Sequence, residues 1–96
     1  MIEIASYSYT HNDGDQIWED DTRFYKKEDG TFIKCYYDGY YGEEISVSIS
    51  YDEIVADMEK VRKKVKQRQK DIESYGAHDP RTRSGYSIWM DLQSSK

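Results

Sequence analysis

Residues 50–76 read SYDEIVADMEKVRKKVKQRQKDIESYG, and this stretch predicts one long helix. Ser50 and Glu53 form a capping box, in which the serine side chain accepts from an amide of the first turn and the glutamate reaches back. Gly76 is the residue type that commonly ends a helix, because it adopts a left-handed backbone conformation without steric penalty. About 25 residues lie between these signals, roughly 37 Å of helix at 1.5 Å per residue.

Apolar residues recur along this helix at steps of three and four, and they therefore share one face. They are Ile54, Met58, Val61, Val65, Ile72 and Tyr75. Arg68 occupies the place in this stripe where a core residue is expected. It marks either the point where the helix leaves the sheet or a surface where a partner packs. A homodimer through the long helix is therefore one hypothesis, and its candidate second surface comprises Arg68, Ile72, Tyr75, Arg81 and Arg83.

The rest of the chain alternates in the manner of β-strands, four before the helix and one after it. The predicted strands are residues 2–9, 22–27, 31–37, 44–50 and 86–92. The order β-β-β-β-α-β predicts an α+β fold, an antiparallel meander sheet covered on one face by the single long helix. Residues 11–21 are expected to form an acidic loop, and Asp29-Gly30 predicts a type I′ hairpin turn.

The helix stripe should cover one face of this sheet. Strand alternation places Ile33 and Cys35 on one face of the third strand, and Ile45, Val47 and Ile49 on one face of the fourth. We expect these two sets to lie together under the helix.

Length and composition are those of a single domain, residues 1–96. Ten tyrosines and two tryptophans supply apolar area that the few aliphatic residues do not. The single cysteine, Cys35, excludes a disulfide within the chain. We find neither a signal-peptide pattern nor an apolar run of about 20 residues, so we expect a cytoplasmic protein with no membrane contact.

Charge is divided sharply along the chain. Residues 1–53 hold 13 Asp+Glu and 4 Lys+Arg, a net charge of −9, whereas residues 54–96 hold 6 and 10, a net charge of +4. Such asymmetry indicates an interaction surface. The alternative is that the acidic half faces the basic helix within the fold, or that both are solvated.

Signals for enzymatic chemistry are weak. His11 and His78 fall in predicted loops, Cys35 falls on the predicted core face, and no phosphate-binding or nucleophile-elbow motif occurs. The acidic loop lacks the ligand order of a calcium-binding EF-hand. We expect no enzyme, no metal and no cofactor. A small-ligand-binding or enzymatic domain centred on Cys35, His11 or His78 is kept as an alternative.

Aromatic residues interleaved with carboxylates mark the candidate partner-binding surface. It includes WEDD at 18–21 and YYDGYYGEE at 36–44. Exposed tyrosines are enriched in interfaces, and the carboxylates attract a basic partner. The candidate residues are Asp15, Trp18, Glu19, Asp20, Asp21, Tyr36, Asp38, Tyr40, Tyr41, Glu43 and Glu44.

In these same stretches, and in its short acidic single domain, the chain resembles the small acidic inhibitors that phages use against host defence, of the anti-CRISPR and anti-restriction type. The resemblance implies a non-enzymatic inhibitor or adaptor that occupies a basic protein surface, such as the nucleic-acid groove of a defence protein. A nucleic-acid-binding regulator is the second hypothesis, using the basic helix residues 60–70 with Arg81 and Arg83. The net charge of −5 argues against direct nucleic-acid binding.

Overall fold

The computed structural model describes residues 1–88, and it confirms the predicted α+β architecture. The elements in chain order are β1 (Ile2–Asn12), β2 (Ile17–Lys26), β3 (Phe32–Asp38), β4 (Glu43–Ile49), α1 (Tyr51–Tyr75) and β5 (Gly85–Ile88). Residues 89–92 of the predicted last strand lie outside the described residues. Within residues 1–88, no helix is both long enough and apolar enough to cross a membrane.

The strands form one antiparallel sheet in the order β4-β3-β2-β1-β5. The first four strands are a meander, and β5 returns after the helix to pair with β1.

The predicted acidic loop 11–21 is wrong, because β1 continues to Asn12 and β2 already begins at Ile17. A short turn joins the two strands, and the Asp13 side chain holds it by accepting from the amides of Asp15 and Gln16.

Helix α1 begins and ends where the sequence predicts. Ser50 Oγ accepts from the Glu53 amide at 3.2 Å, and Glu53 Oε1 accepts from the Ser50 amide at 3.3 Å, which completes the capping box. Gly76 ends the helix with φ 92° and ψ 157°. Essentially only glycine adopts this combination, so the residue type is fixed by backbone conformation.

The core lies between the first half of α1 and the centre of the sheet. The cluster comprises Ile4, Ala5, Phe24, Ile54 and Met58. Val61, one turn further along the helix, is also buried. The remaining contacts come from half-buried side chains around the cluster, so this small core depends on aromatic as well as aliphatic residues: Tyr7, Phe32, Ile49, Val55 and Ile88.

The predicted helix-covered face of β3 is wrong. Lys34 Nζ lies 3.1 Å from Asp57 Oδ2 of α1, so the face with Phe32 and Lys34 is the one under the helix. Cys35 and Ile33 point to the opposite face, where Cys35 Sγ lies 3.2 Å from Ser46 Oγ of β4.

The predicted burial of β4 is also wrong in part. Directly opposite residues of an antiparallel pair share a face. Val47 lies opposite Lys34 and Ile45 opposite Tyr36, so both are on the helix side of the sheet. However, β4 is the edge strand furthest from β5, and α1 does not cover it there. Ile45 is 57% exposed and Val47 50% exposed.

The β2–β3 hairpin differs from the predicted type I′ turn. That turn needs positive φ at both central residues, whereas among the described non-glycine residues none has positive φ. Gly30 alone is left-handed here, with φ 87°. Its amide donates to the Lys27 carbonyl at 3.0 Å, so the turn is centred one residue earlier, on Glu28 and Asp29.

Candidate functional site

A row of aromatic rings crosses the helix side of the sheet. Centroids of successive rings lie 4.5–5.1 Å apart, and the His11 and Trp18 rings stack with an interplanar angle of 11°. Strand register creates the row, because Tyr9 lies opposite Tyr86 and His11 opposite Trp18. From β5 to the β3–β4 connection it consists of Tyr86, Tyr9, His11, Trp18, Tyr40 and Tyr41.

Residues 39–42, hereafter the Tyr loop, are held by two carboxylates. Asp38 Oδ1 accepts from the amides of Tyr40 and Tyr41 at 2.8 and 3.1 Å. Asp20 Oδ1 accepts from the Gly39 amide at 3.0 Å, and Asp20 Oδ2 lies 2.6 Å from His11 Nε2. Both carboxylates were candidate partner-binding groups, and both are engaged within the fold. Their effect is to fix a loop that leaves Tyr40 54% and Tyr41 74% exposed.

The structure divides the predicted partner-binding residues between the two faces of the sheet. Trp18, Asp20 and Tyr36 lie on the helix side. Asp21 of β2 and Glu44 of β4 lie directly opposite Tyr37 of β3, and all three are on the other face of the sheet.

Glu19 shares that other face, and a hydrogen bond with Asp21, burial and repulsion from Asp21 together raise the pKa of Glu19. Asp15 is exposed in the β1–β2 turn, and Glu43 is exposed where β4 begins. The structure therefore brings Trp18 together with Tyr40 and Tyr41, but it separates this group from the acidic cluster around Glu19.

Strand β4 presents an edge that is unpaired within the described residues, since β3 is its only neighbour in the sheet. Its sequence, EEISVSI, contains no lysine or proline, its register with β3 shows no bulge, and its only charged residues, Glu43 and Glu44, are confined to the first two positions. Lysine, proline and bulges are devices by which proteins usually protect an exposed edge. The outward N–H and C=O groups of β4 are therefore open to another strand.

A cleft of about 660 Å³ lies between the second half of α1 and the sheet. Its floor includes Tyr7, Tyr9, His11, Asp20, Lys34 and Tyr36. One wall is α1, through Lys64, Gln67, Arg68 and Asp71, and the other is formed by Arg81, Ser84, Gly85 and Tyr86. Sequence reasoning missed this cleft. Its signals are the polar Lys34 and Tyr36 on the helix side of β3, and the arginine at position 68 of the apolar stripe.

Arg68 is held by the loop that follows the helix. Its Nε and Nη2 donate to the Thr82 carbonyl at 3.2 and 3.1 Å, and Thr82 Oγ1 donates to the Gly76 carbonyl at 2.7 Å. Gly85 packs directly on the Arg68 side chain, where any Cβ would overlap. Arg68 therefore lines the cleft and is anchored within the fold.

The other residues of the candidate second surface lie around the same loop. Arg81 pairs with Asp79 and lies over the Tyr75 ring, 3.5 Å from its centroid. Ile72 and Arg83 are half-buried. The dimer hypothesis stays a prediction, and the groups it names already have contacts within the chain.

Two tyrosines in the cleft have raised pKa values. Burial, together with the nearby Asp57 carboxylate, raises the pKa of Tyr7 to about 12, and the Tyr7 hydroxyl donates to Asp57 Oδ2 at 3.2 Å. Burial first, then the carboxylates of Asp20 and Asp38, raise the pKa of Tyr36. Both phenols therefore remain neutral hydrogen-bonding groups at physiological pH.

The three side chains of the enzymatic alternative are dispersed. His11 lies on the helix side in strand β1, not in the predicted loop, and Cys35 points to the opposite face. These two side chains cannot form a nucleophile–base pair across the sheet. His78 is exposed in the loop after α1. In the part of the chain that is described, no group of three or more His, Cys, Asp or Glu side chains could hold a metal ion.

Comparison of the chain with protein-family models, with curated proteins and with solved structures finds no match. Function must therefore be argued from the surfaces described above.

Proposed function

We propose that the chain is a non-enzymatic binding protein, an inhibitor or adaptor, that docks an extended basic segment of a partner protein along β4 and the Tyr loop. One observation carries the proposal. The unprotected edge of β4 exposes Ile45 and Val47, and it begins beside Tyr40 and Tyr41.

The docking mode follows from strand geometry. An extended peptide can add to an exposed sheet edge, where main-chain hydrogen bonds give affinity and alternate side chains give specificity. On the helix side β4 offers the apolar Ile45 and Val47, and on the other side it offers Glu44, Ser46 and Ser48. A strand that alternates apolar and basic residues matches both faces.

Charge favours such a partner. Glu43 and Glu44 lie at the Tyr-loop end of the edge, in a half of the chain whose net charge is −9. A negative surface accelerates the approach of a basic partner, and the effect weakens as salt is added. Nucleic-acid-binding proteins carry basic surfaces of this kind, so the groove of a host defence protein is the partner class we favour.

The test compares the wild-type chain with Val47→Lys, Tyr41→Ala and a control, Ile17→Lys. Ile17 is an apolar residue that is 70% exposed away from β4. Each tagged protein is incubated with a lysate of its source cells, and the captured proteins are identified by mass spectrometry. The captured protein is then purified and its affinity for each variant is measured.

We expect wild type and Ile17→Lys to capture the same basic protein, and Val47→Lys and Tyr41→Ala to bind it at least about tenfold more weakly, a loss of about 1.4 kcal/mol. Thermal melting should show that all variants are folded. Capture that survives Val47→Lys unchanged would contradict docking on β4. A mobility shift of short DNA or RNA at low salt would instead favour the basic-helix hypothesis.

A further inference from the structure

The cleft beneath the second half of α1 has the size of a small-molecule site. Its volume of about 660 Å³ lies within the roughly 300–1,000 Å³ of typical ligand pockets. It lies beside the core, on the same face of the sheet, and its helix wall begins at Lys64, just after the last buried helix residue, Val61.

Most charges in the cleft are already matched. Asp20 shares a hydrogen bond with His11, whereas Asp71 accepts only from the neutral Gln67 Nε2, at 3.0 Å, and pairs with no cation among the described residues. The cations Lys34 and Arg81 pair with Asp57 and Asp79 respectively.

Two cations on the helix wall are not matched in this way. Among residues 1–88, neither Lys64 nor Arg68 lies within salt-bridge distance of a carboxylate. They are four residues apart, so they project from the same face of the helix. Two of the five N–H groups of Arg68 donate to the neutral Thr82 carbonyl, and the other three remain available to donate to a ligand.

Aromatic rings line the same cleft, and one of them lies next to Lys64. Lys64 Nζ lies 5.2 Å from the Tyr86 ring centroid, and Tyr86 packs edge-to-face on Tyr9 and Tyr7. The hydroxyls of Tyr7 and Tyr36 add neutral hydrogen-bonding groups on the floor. Flat apolar rings beside unmatched cations are complementary to a ligand with a ring and a negative group.

We propose that this cleft binds a small aromatic anion, whose ring packs against Tyr9 and Tyr86 and whose acidic group pairs with Lys64 and Arg68. The ligand is an anion although the chain carries a net charge of −5, because its acidic group would lie at Lys64 and Arg68, two cations with no carboxylate within salt-bridge distance among residues 1–88. This site is separate from the β4 edge and does not rest on the function proposed for it.

The test uses a matched pair of fluorescent probes, anilinonaphthalene sulfonate and the neutral phenylnaphthylamine, which lacks the sulfonate. The variants are also matched. Lys64→Gln removes a cleft charge, and Lys63→Gln removes the same charge from the neighbouring exposed residue, which does not line the cleft. Both positions are exposed, so neither change should prevent folding.

We expect one sulfonate probe to bind per chain, and Lys64→Gln to weaken it by about fivefold to tenfold. Lys63→Gln should change its affinity by less than about twofold, because an exposed distant charge is screened. The neutral probe should bind wild type more weakly than the sulfonate, and Lys64→Gln should leave its affinity unchanged.

Three results would overturn the proposal: no binding of the sulfonate probe, equal effects of Lys64→Gln and Lys63→Gln, or equal affinity for both probes. Val47→Lys separates the cleft from the β4 edge. It should weaken partner binding at least about tenfold and leave probe affinity intact. Loss of probe binding in Val47→Lys but not in Lys64→Gln would place the probe on β4 and also refute the cleft site.

Discussion

Gly39 is required by close packing rather than by backbone conformation. The described glycines with positive φ are Gly14, Gly30, Gly42 and Gly76, so Gly39 has a φ that any residue can adopt. A Cβ at position 39 would overlap the Glu19 carbonyl oxygen and lie 2.8 Å from its carbon. The Tyr loop therefore lies on the backbone of β2, and a side chain would push the two apart.

Gly39→Ala should lower the free energy of unfolding by about 1–3 kcal/mol, the usual penalty of overpacking. Urea denaturation measures the loss. Gly85→Ala is the matched control, since the three atoms nearest to a Cβ there all belong to the Arg68 side chain. We expect a smaller loss for Gly85→Ala, because a side chain can move more readily than a backbone. A change of less than about 0.5 kcal/mol in Gly39→Ala would contradict the close approach.

Among the secondary-structure elements, α1 was the most predictable from sequence and the β3–β4 hairpin the least. The helix signals at Ser50, Glu53 and Gly76 are local, and each acts within one turn. The hairpin depends on loop length. Asp38 pairs with Glu43 across four loop residues, so even-numbered positions of β3 share a face with odd-numbered positions of β4. The alternation of residues within each strand does not reveal which positions of β3 and β4 share a face. A one-residue change in register would move every side chain of β4 to the other face.

The candidate sites also differ in how far they could be predicted from the sequence. Trp18, Tyr40 and Tyr41 could be selected from sequence, because aromatic residues among carboxylates are visible in the letters. The cleft could not, because its lining comes from strands, helix and loop that are far apart in the sequence and meet only in the fold. Arg68 was recognised as a break in the stripe, but its contact with the Thr82 carbonyl depends on a loop returning to the helix.

The loop that follows α1 contains a carboxylate that should titrate at unusually low pH. Asp79 accepts from the Arg81 guanidinium at 2.9 and 3.0 Å and from the Arg81 amide at 2.9 Å. These bonds, the side-chain ones first, lower the pKa of Asp79 from an ordinary 3.8 to about 2. Because the folded-state pKa is the lower one, the charged pair stabilises the fold above pH 4, and the contribution is lost as pH falls toward 2.

An NMR titration of the Asp79 carboxyl should therefore give a pKa near 2 in the wild-type chain. Arg81→Gln should raise it toward 3.8, though not fully, because the amide of residue 81 still donates. Arg83→Gln is the control, since Arg83 contributes only a weaker, longer-range attraction. A wild-type pKa near 3.8 would show that the pair does not persist in solution.

For the molecule as a whole, the division of charge along the chain becomes a division between layers. The acidic half supplies β1 to β4, and the basic half supplies α1 and β5. One ion pair joins the two halves: Lys34 belongs to the acidic half and Asp57 to the basic half, so each residue has the charge opposite to the net charge of its own half. Several helix lysines remain exposed to solvent: Lys60, Lys63, Lys66 and Lys70. A basic partner at the sheet edge and an anion beneath the helix are the ligands that suit these two layers.

The two proposed sites are neighbours, so their ligands should affect each other slightly. Lys34 and Tyr36 line the cleft and lie opposite Val47 and Ile45 of β4. The proposed anion itself lies further away, because its ring packs on Tyr9 of β1, which is about four strand spacings, roughly 19 Å, from a basic strand docked outside β4. Two unit charges at that distance attract by about 0.2 kcal/mol in water, and physiological salt, with a screening length of about 8 Å, removes most of this.

Saturating the cleft with the sulfonate probe should therefore tighten partner binding by less than about twofold at physiological salt. Because coupling between binding sites is reciprocal, the partner should tighten probe binding by the same factor. Titrating each ligand with and without the other measures both factors. Lys64→Gln is the control: at probe concentrations that fill the wild-type cleft but not the cleft of this variant, the coupling should disappear. A coupling above about fivefold would exceed what screened charges supply, and it would mean that β3 and β4 change conformation when either ligand binds.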